Sequence, residues 1–164
     1  MAYQINWQER GVLYNYRGHT SDFEIAAATR IAQADARLDQ LVYAIHDFLP
    51  CESFTYSVPR IEEIAAVASA AALSLRAPRL AIAIVTDRPQ VRAAADVYVE
   101  SGLTPHDLRV FPSISEAWGW LSIVDRPWAV RNGARPHSPR STSMAVEPFE
   151  MRSGRRAPTG RLIG

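Results

Sequence analysis

Residues 46 to 57 hold the side chains with the most chemical potential in this chain: His46, Asp47 and Cys51, followed by Ser53 and Ser57. A cysteine nucleophile needs a base within hydrogen-bonding reach or a positive environment that favours thiolate. His46 and Asp47 are neighbours, so in a strand they point to opposite faces and cannot both serve one site. Cys51 falls just after the strand, where α/β folds commonly place ligands. A phosphate loop of the cysteine-phosphatase kind would require arginine six residues later, and that position is Ser57. Glycine-rich phosphate cradles of the Gly-x-Gly-x-x-Gly or Walker type are missing, and the chain has no lysine. His19, His46, His106 and His137 show no i, i+4 pair and no accompanying cysteine cluster, the spacing zinc would need. Glu62 and Glu63 are adjacent on a helix and give no paired-carboxylate geometry. No catalytic residue, metal or cofactor is expected, and the chain reads as non-enzymatic.

Binding remains. Phe48, Phe54 and Tyr56 cluster around the segment after the third strand, where they could line a small apolar pocket or a partner patch. At the other end, the last forty residues carry eight arginines against three acids, a net of plus five, whereas residues 1–124 carry a net of minus four. Arginines scattered among Ser and Pro with few aromatics lack a stacking platform, so only weak nucleic-acid contact is expected there.

These residues must be positioned by one ordinary domain. The chain has 164 residues, 48% of them hydrophobic, and a single cysteine that forbids an internal disulfide. No apolar run approaches the roughly 18 residues of a membrane span. No basic-then-apolar leader opens the chain, so a cytoplasmic protein is expected. Five of the eleven prolines fall after residue 124. The expected division is an α/β domain over 1–124 and an Arg/Pro-rich, disordered tail over 125–164.

Tyr3 to Trp7 and Val12 to Tyr16 are β-rich runs around Glu9-Arg10-Gly11 and predict a hairpin. Ser21 with Glu24 is a capping-box spacing that opens a helix over about 21–36. Leu41 to Phe48 predicts a buried strand. A second helix opens near Pro59 and stops at Pro78, with an alanine-rich face suited to close packing on a sheet. Leu80 to Thr86 is a continuous apolar run, as expected of a parallel strand covered on both faces. Asp87 and Gln90 are expected to cap a third helix ending at Ser101-Gly102. Leu108 to Phe111 gives a fifth strand, and Ser113 with Glu116 opens a last short helix. The order β-β-α-β-α-β-α-β-α predicts a mostly parallel central sheet of about five strands, an N-terminal antiparallel hairpin and four covering helices. The hairpin's edge strand could pair with a second copy to form a homodimer.

Three phrases carry a family resemblance: Gly11-Val12-Leu13-Tyr14-Asn15-Tyr16-Arg17-Gly18, Ala36 to Phe48, and Val110-Phe111-Pro112-Ser113-Ile114-Ser115-Glu116-Ala117-Trp118. Over about residues 8 to 122 the chain resembles the SpoIIAA-like proteins, bacterial relatives of the STAS domain of anti-sigma factor antagonists. The resemblance implies a regulatory, protein-binding module of this α/β fold. In antagonists of that type a serine before the helix that follows the central strand is phosphorylated, within an Asp-Ser-x-Gly phrase. Here that phrase is absent and Ser57 is the nearest positional match, with helix capping as its alternative role. The leading expectation is a protein partner bound through Phe48, Cys51, Ser53, Phe54, Tyr56 and Ser57 and the start of the second helix. The alternative is a carrier or sensor of a small apolar or lipid-like ligand, with a Cys51-dependent enzyme third.

Overall fold

The computed structural model describes residues 2–74, 79–104 and 106–124. The hairpin forms as expected. β1 (Tyr3–Trp7) and β2 (Gly11–Tyr16) pair antiparallel with Trp7 opposite Val12 and Tyr3 opposite Tyr16. β2 then pairs in parallel with β4 (Tyr43–Asp47), β4 with β6 (Ala81–Val85) and β6 with β7 (Asp107–Phe111), giving the sheet order β1-β2-β4-β6-β7. All five residues of β6 are buried. This is what a continuous apolar run does when flanked by strands on both sides and covered on both faces.

Four helices cover the sheet unequally. α1 (Asp22–Gln33), α2 (Val58–Ser74) and α3 (Pro89–Glu100) share a core with Val12, Tyr14, Ala44, Ile82 and Ile84 on one face. α4 (Ile114–Val124) alone packs on the other face, against Ile45, Ala81, Ala83 and Val85. Period-two alternation along each strand sorts the residues between these two cores. Among the described residues no helix is long and apolar enough to cross a membrane.

Two short strands were not anticipated. β3 (Gly18–Ser21) and β5 (Cys51–Thr55) pair in parallel as a separate two-stranded sheet, so half of the segment between the predicted Leu41–Phe48 strand and the second helix is itself a strand. Gly18, at φ 63°, supplies the left-handed turn that redirects the chain from β2 into β3. The Ser21–Glu24 box holds α1 as expected, its carboxylate accepting from the Ser21 backbone N–H (2.9 Å) and hydroxyl. That helix ends early, at Gln33. The Asp35 carboxylate accepts from the Arg37 N–H (2.9 Å) and starts a separate 3₁₀ turn over Ala36–Gln40. α3 begins with Arg88 at the cap and Pro89 in the first turn, not with Asp87 and Gln90; Thr86 Oγ1 instead accepts from the Arg88 N–H (3.0 Å). The Pro78 stop and the tail 125–164 lie outside the described residues.

Candidate functional site

Two rows of side chains cross the sheet beneath α1, α2 and α3. Strand registers align Tyr14, His46, Ile84 and Val110 in one row and Val12, Ala44, Ile82 and Leu108 in the next. The helices facing these rows contribute six alanines, Ala32 on α1, Ala68, Ala71 and Ala72 on α2, Ala94 and Ala95 on α3, among larger residues such as Ile25, Ile61, Ile64 and Tyr98. Methyl groups on the helices cannot reach far enough to meet medium-sized strand residues, and the layers leave a cavity of about 140 Å³ between them. The alanine-rich face of α2 borders this gap through Ala68, Ala71 and Ala72, while Ala65 on the same helix is fully buried. An apolar cavity of about this size accommodates a benzene-sized molecule.

The wall is apolar with few exceptions. Among the described residues no Asp, Glu or Arg lines the cavity; its polar residues are Tyr14, Thr29, Gln33, His46, Tyr98 and His106. His46 stacks on Tyr14 at 4.4 Å between centroids, and its Nδ1 lies 3.1 Å from the hydroxyl of Tyr16. Burial pushes the His46 pKa down to about 4, because it strips away most of the water that would solvate a charged imidazolium. Burial likewise raises Tyr14, and raises Tyr16 with help from the neighbouring Tyr14 and Tyr3. His106 is lowered by burial first and by Arg79 second; its Nδ1 accepts the Leu80 N–H at 3.2 Å.

The residues expected to form a site divide into three groups. Phe48 and Phe54 are buried and line the cavity, Phe48 stacked on Tyr16 at 4.3 Å and edge-on to Phe54 at 5.5 Å. Tyr56, half-buried, stacks on Phe54 from outside. Cys51 is only 1% exposed, and its thiol donates to the carbonyls of Ser53 (2.9 Å) and Gly18 (3.3 Å). It behaves as a satisfied core residue of the β3–β5 pair. Its partners are two carbonyl oxygens, with no base among them. Ser53 faces outward, its hydroxyl 2.7 Å from His19 Nδ1, while His19 Nε2 lies 3.7 Å from Glu52. This has the order of a nucleophile, base and acid, but the His19 and Glu52 side chains are 82% and 72% exposed and none of the three lines the cavity. Nothing there shields a reaction from water.

Ser57 sits just before α2, exposed, and is tied inward. Its N–H (2.8 Å) and hydroxyl (3.3 Å) both donate to the carboxylate of Asp22, a buried residue at the start of α1. One carboxylate thus joins the beginnings of two helices. Beside it, Phe23 is 61% exposed with the Arg60 guanidinium 4.6 Å above its ring, and Val58 is also exposed. The expectation that His46 and Asp47 face opposite ways holds: Asp47 accepts from Asn15 (3.1 Å) on the α4 side of the sheet, within a side-chain chain that continues through Asn6 to Gln4. Among the described residues no cluster of His, Cys, Asp and Glu could hold a metal.

The sequence reading missed the cavity itself, and with it Tyr14, Tyr16 and His106. The alternation Val12-Tyr14-Tyr16 was the available signal, since it places two tyrosines beside His46 once β2 and β4 are paired.

No known protein family matches the chain, and no curated protein does either. Solved structures do. The anti-sigma factor antagonist SpoIIAA in its unphosphorylated form is 20% identical, with a TM-score of 0.44 over 80% of this chain and 97% of that one. SpoIIAA, the Bacillus cell fate determinant, in its phosphorylated form is 20% identical at a TM-score of 0.41, covering 73% and 99%. An uncharacterized protein of the DUF3478 family with a SpoIIAA-like fold, from Shewanella loihica PV-4, is 16% identical at 0.40, covering 73% and 92%. These are likenesses of fold at low identity.

Proposed function

We propose that this chain is a non-catalytic binding module that takes a small apolar molecule between its sheet and its three-helix layer. The cavity of about 140 Å³ carries the reading. An apolar occupant would gain contacts with this wall and stabilise the fold by binding it. Phe48 and Phe54, expected to serve a partner or ligand, contribute to its wall. The test is native mass spectrometry of the gently purified protein, together with gas chromatography of its organic extract, compared with Ala94→Leu, which fills the space. A molecule retained by wild type and lost from the variant is expected. Protein that is empty on purification and binds neither benzene nor cyclohexane at saturation would end this reading.

A second reading, a regulatory module bound by another protein, is supported by the exposed surface around Ser57. Phe23, Val58 and Arg60 present apolar and cationic contact area beside a serine whose bonds tie two helices together. Phosphate on Ser57 would set a second negative charge against Asp22 and loosen that tie. Affinity capture from host lysate with wild type and Phe23→Ala tests it: a partner lost on the substitution favours a protein-binding surface there, and identical captures count against it.

A further inference from the structure

The cavity's polar floor specifies the ligand's chemistry, on the reading that the cavity is a ligand site. Tyr16 is fully buried, and its hydroxyl has one hydrogen-bond partner among the described residues, His46 Nδ1 at 3.1 Å. Two arrangements of protons are available. If Nδ1–H donated to the phenol oxygen, the phenol's own proton would have no acceptor among the described residues, and Tyr16 has no accessible surface through which to reach another, at the full cost of an unsatisfied buried donor. If the phenol donates, both groups are satisfied. Tyr16 therefore donates, Nδ1 is the acceptor, and the single proton of the neutral imidazole is on Nε2.

That Nε2–H has no partner among the described residues. The ring borders the cavity and keeps part of its surface accessible, although the core residues around it, Tyr14, Ala44, Phe48 and Ile84, are buried. His106, two rows further along, is fixed in the same tautomer because its Nδ1 already accepts the Leu80 N–H. With Nδ1 engaged as an acceptor, each imidazole has Nε2–H as a donor, in a wall whose other polar residues are Tyr14, Thr29, Gln33 and Tyr98. A carboxylate would be costly there, since the wall is mostly apolar and, among the described residues, no arginine lines the space. We propose that the ligand is a neutral, compact apolar molecule presenting one hydrogen-bond-accepting oxygen, a carbonyl or ether, to His46 Nε2–H.

Three probes of similar size test this on the full chain: cyclohexanone, methylenecyclohexane and benzoate, with affinities from calorimetry. Long-range proton–nitrogen NMR on unliganded wild type reports which imidazole nitrogen of His46 carries the proton. The expected result is Nε2–H in wild type, cyclohexanone bound at least as tightly as methylenecyclohexane, and benzoate weaker by about a hundredfold or more. In His46→Phe, cyclohexanone should lose about tenfold while methylenecyclohexane changes little. A proton on Nδ1, benzoate binding on a par with the ketone, or methylenecyclohexane binding well while cyclohexanone does not would each overturn the proposal and leave the apolar cavity standing. If neither neutral probe binds wild type, the cavity reading falls with it. The wild-type measurements decide the matter even if His46→Phe fails to fold.

Discussion

The two faces of the sheet solve the same packing problem in opposite ways. Under α4, small strand residues meet large helical ones: Ala81 and Ala83 lie beneath Trp120 and Leu121, with Phe111 5.4 Å from the Trp120 ring. Large against small interdigitates, and no residue of that core lines the cavity. Under α1, α2 and α3 the helices set alanines among larger residues such as Ile61, Ile64 and Tyr98, while the strands present Val12, Ile82 and Ile84. Alanine helices give a filled interface only where the opposing surface supplies the missing volume. Here it does not, so the face with three helices is the one with a void.

The largest expected difference between the faces is in response to acid. His46 belongs to the cavity face, and its pKa falls from an ordinary value near 6.5 in the unfolded chain to about 4 in the folded one. Between those values the unfolded state binds a proton that the folded state does not. Stability is therefore complete above about pH 6.5 and is lost as pH falls toward 4, by about 3 kcal/mol. His106, lowered for the same reason, acts in the same direction. Urea unfolding at pH 7.5 and 4.5 should show this loss in wild type and a much smaller one in His46→Phe. Equal losses in both proteins would place the acid sensitivity elsewhere.

One substitution made on each face sharpens the contrast. Ala117 on α4 is wholly buried in the filled core, so Ala117→Leu overpacks it and should cost about 2 kcal/mol. Ala94 on α3 borders the void, so Ala94→Leu fills it and should gain about 1 kcal/mol while blocking any occupant. Chemical denaturation of the two variants gives both numbers. Destabilisation of the same size at both sites would mean that the cavity is not available space.

Most of the architecture was legible because its signals are local. The continuous apolar run in β6, the Ser21–Glu24 and Ser113–Glu116 boxes and the glycine-bounded hairpin each fix an element without long-range information. β3 and β5 were not legible, because four- and five-residue strands of Gly-His-Thr-Ser and Cys-Glu-Ser-Phe-Thr carry little periodicity and depend on each other for pairing. The site was half legible. Phe48 and Phe54 were identified as a cluster, yet the cavity arises from the spacing between two layers. That spacing follows from which faces meet across the sheet, and no single helix encodes it.

On the α4 side, crowding also reaches the hairpin. The Tyr43 ring lies over Gly11, where an added Cβ would fall 2.1 Å from a ring carbon, and Trp118 meets the same ring edge-on at 5.4 Å. The ring can shift, but only against Trp118, so Gly11→Ala should cost about 1 to 2 kcal/mol. Thermal unfolding of Gly11→Ala against the double variant Gly11→Ala/Tyr43→Ala tests the cause. Removing the ring should absorb most of the penalty of the added methyl, and a full penalty without the ring would place the clash elsewhere.

The smallest effect belongs to the cavity side, at the start of α2, where two influences oppose each other. Ser57→Asp places a carboxylate at a helix N-terminus, a position favoured by about 0.5 kcal/mol or more. The same change removes the hydroxyl that donates to Asp22 and sets two carboxylates against each other beside a buried group. A charge-assisted bond lost and a like-charge contact made outweigh the helix end, for a net cost of about 1 kcal/mol. Asp22→Asn removes the repulsion, so the double variant should be more stable than the sum of the two single changes. A double-mutant cycle by urea denaturation measures that coupling. A coupling of zero would show that a charge on the Ser57 side chain does not act on Asp22, and with it would go the means by which phosphate at Ser57 could loosen the two helix ends.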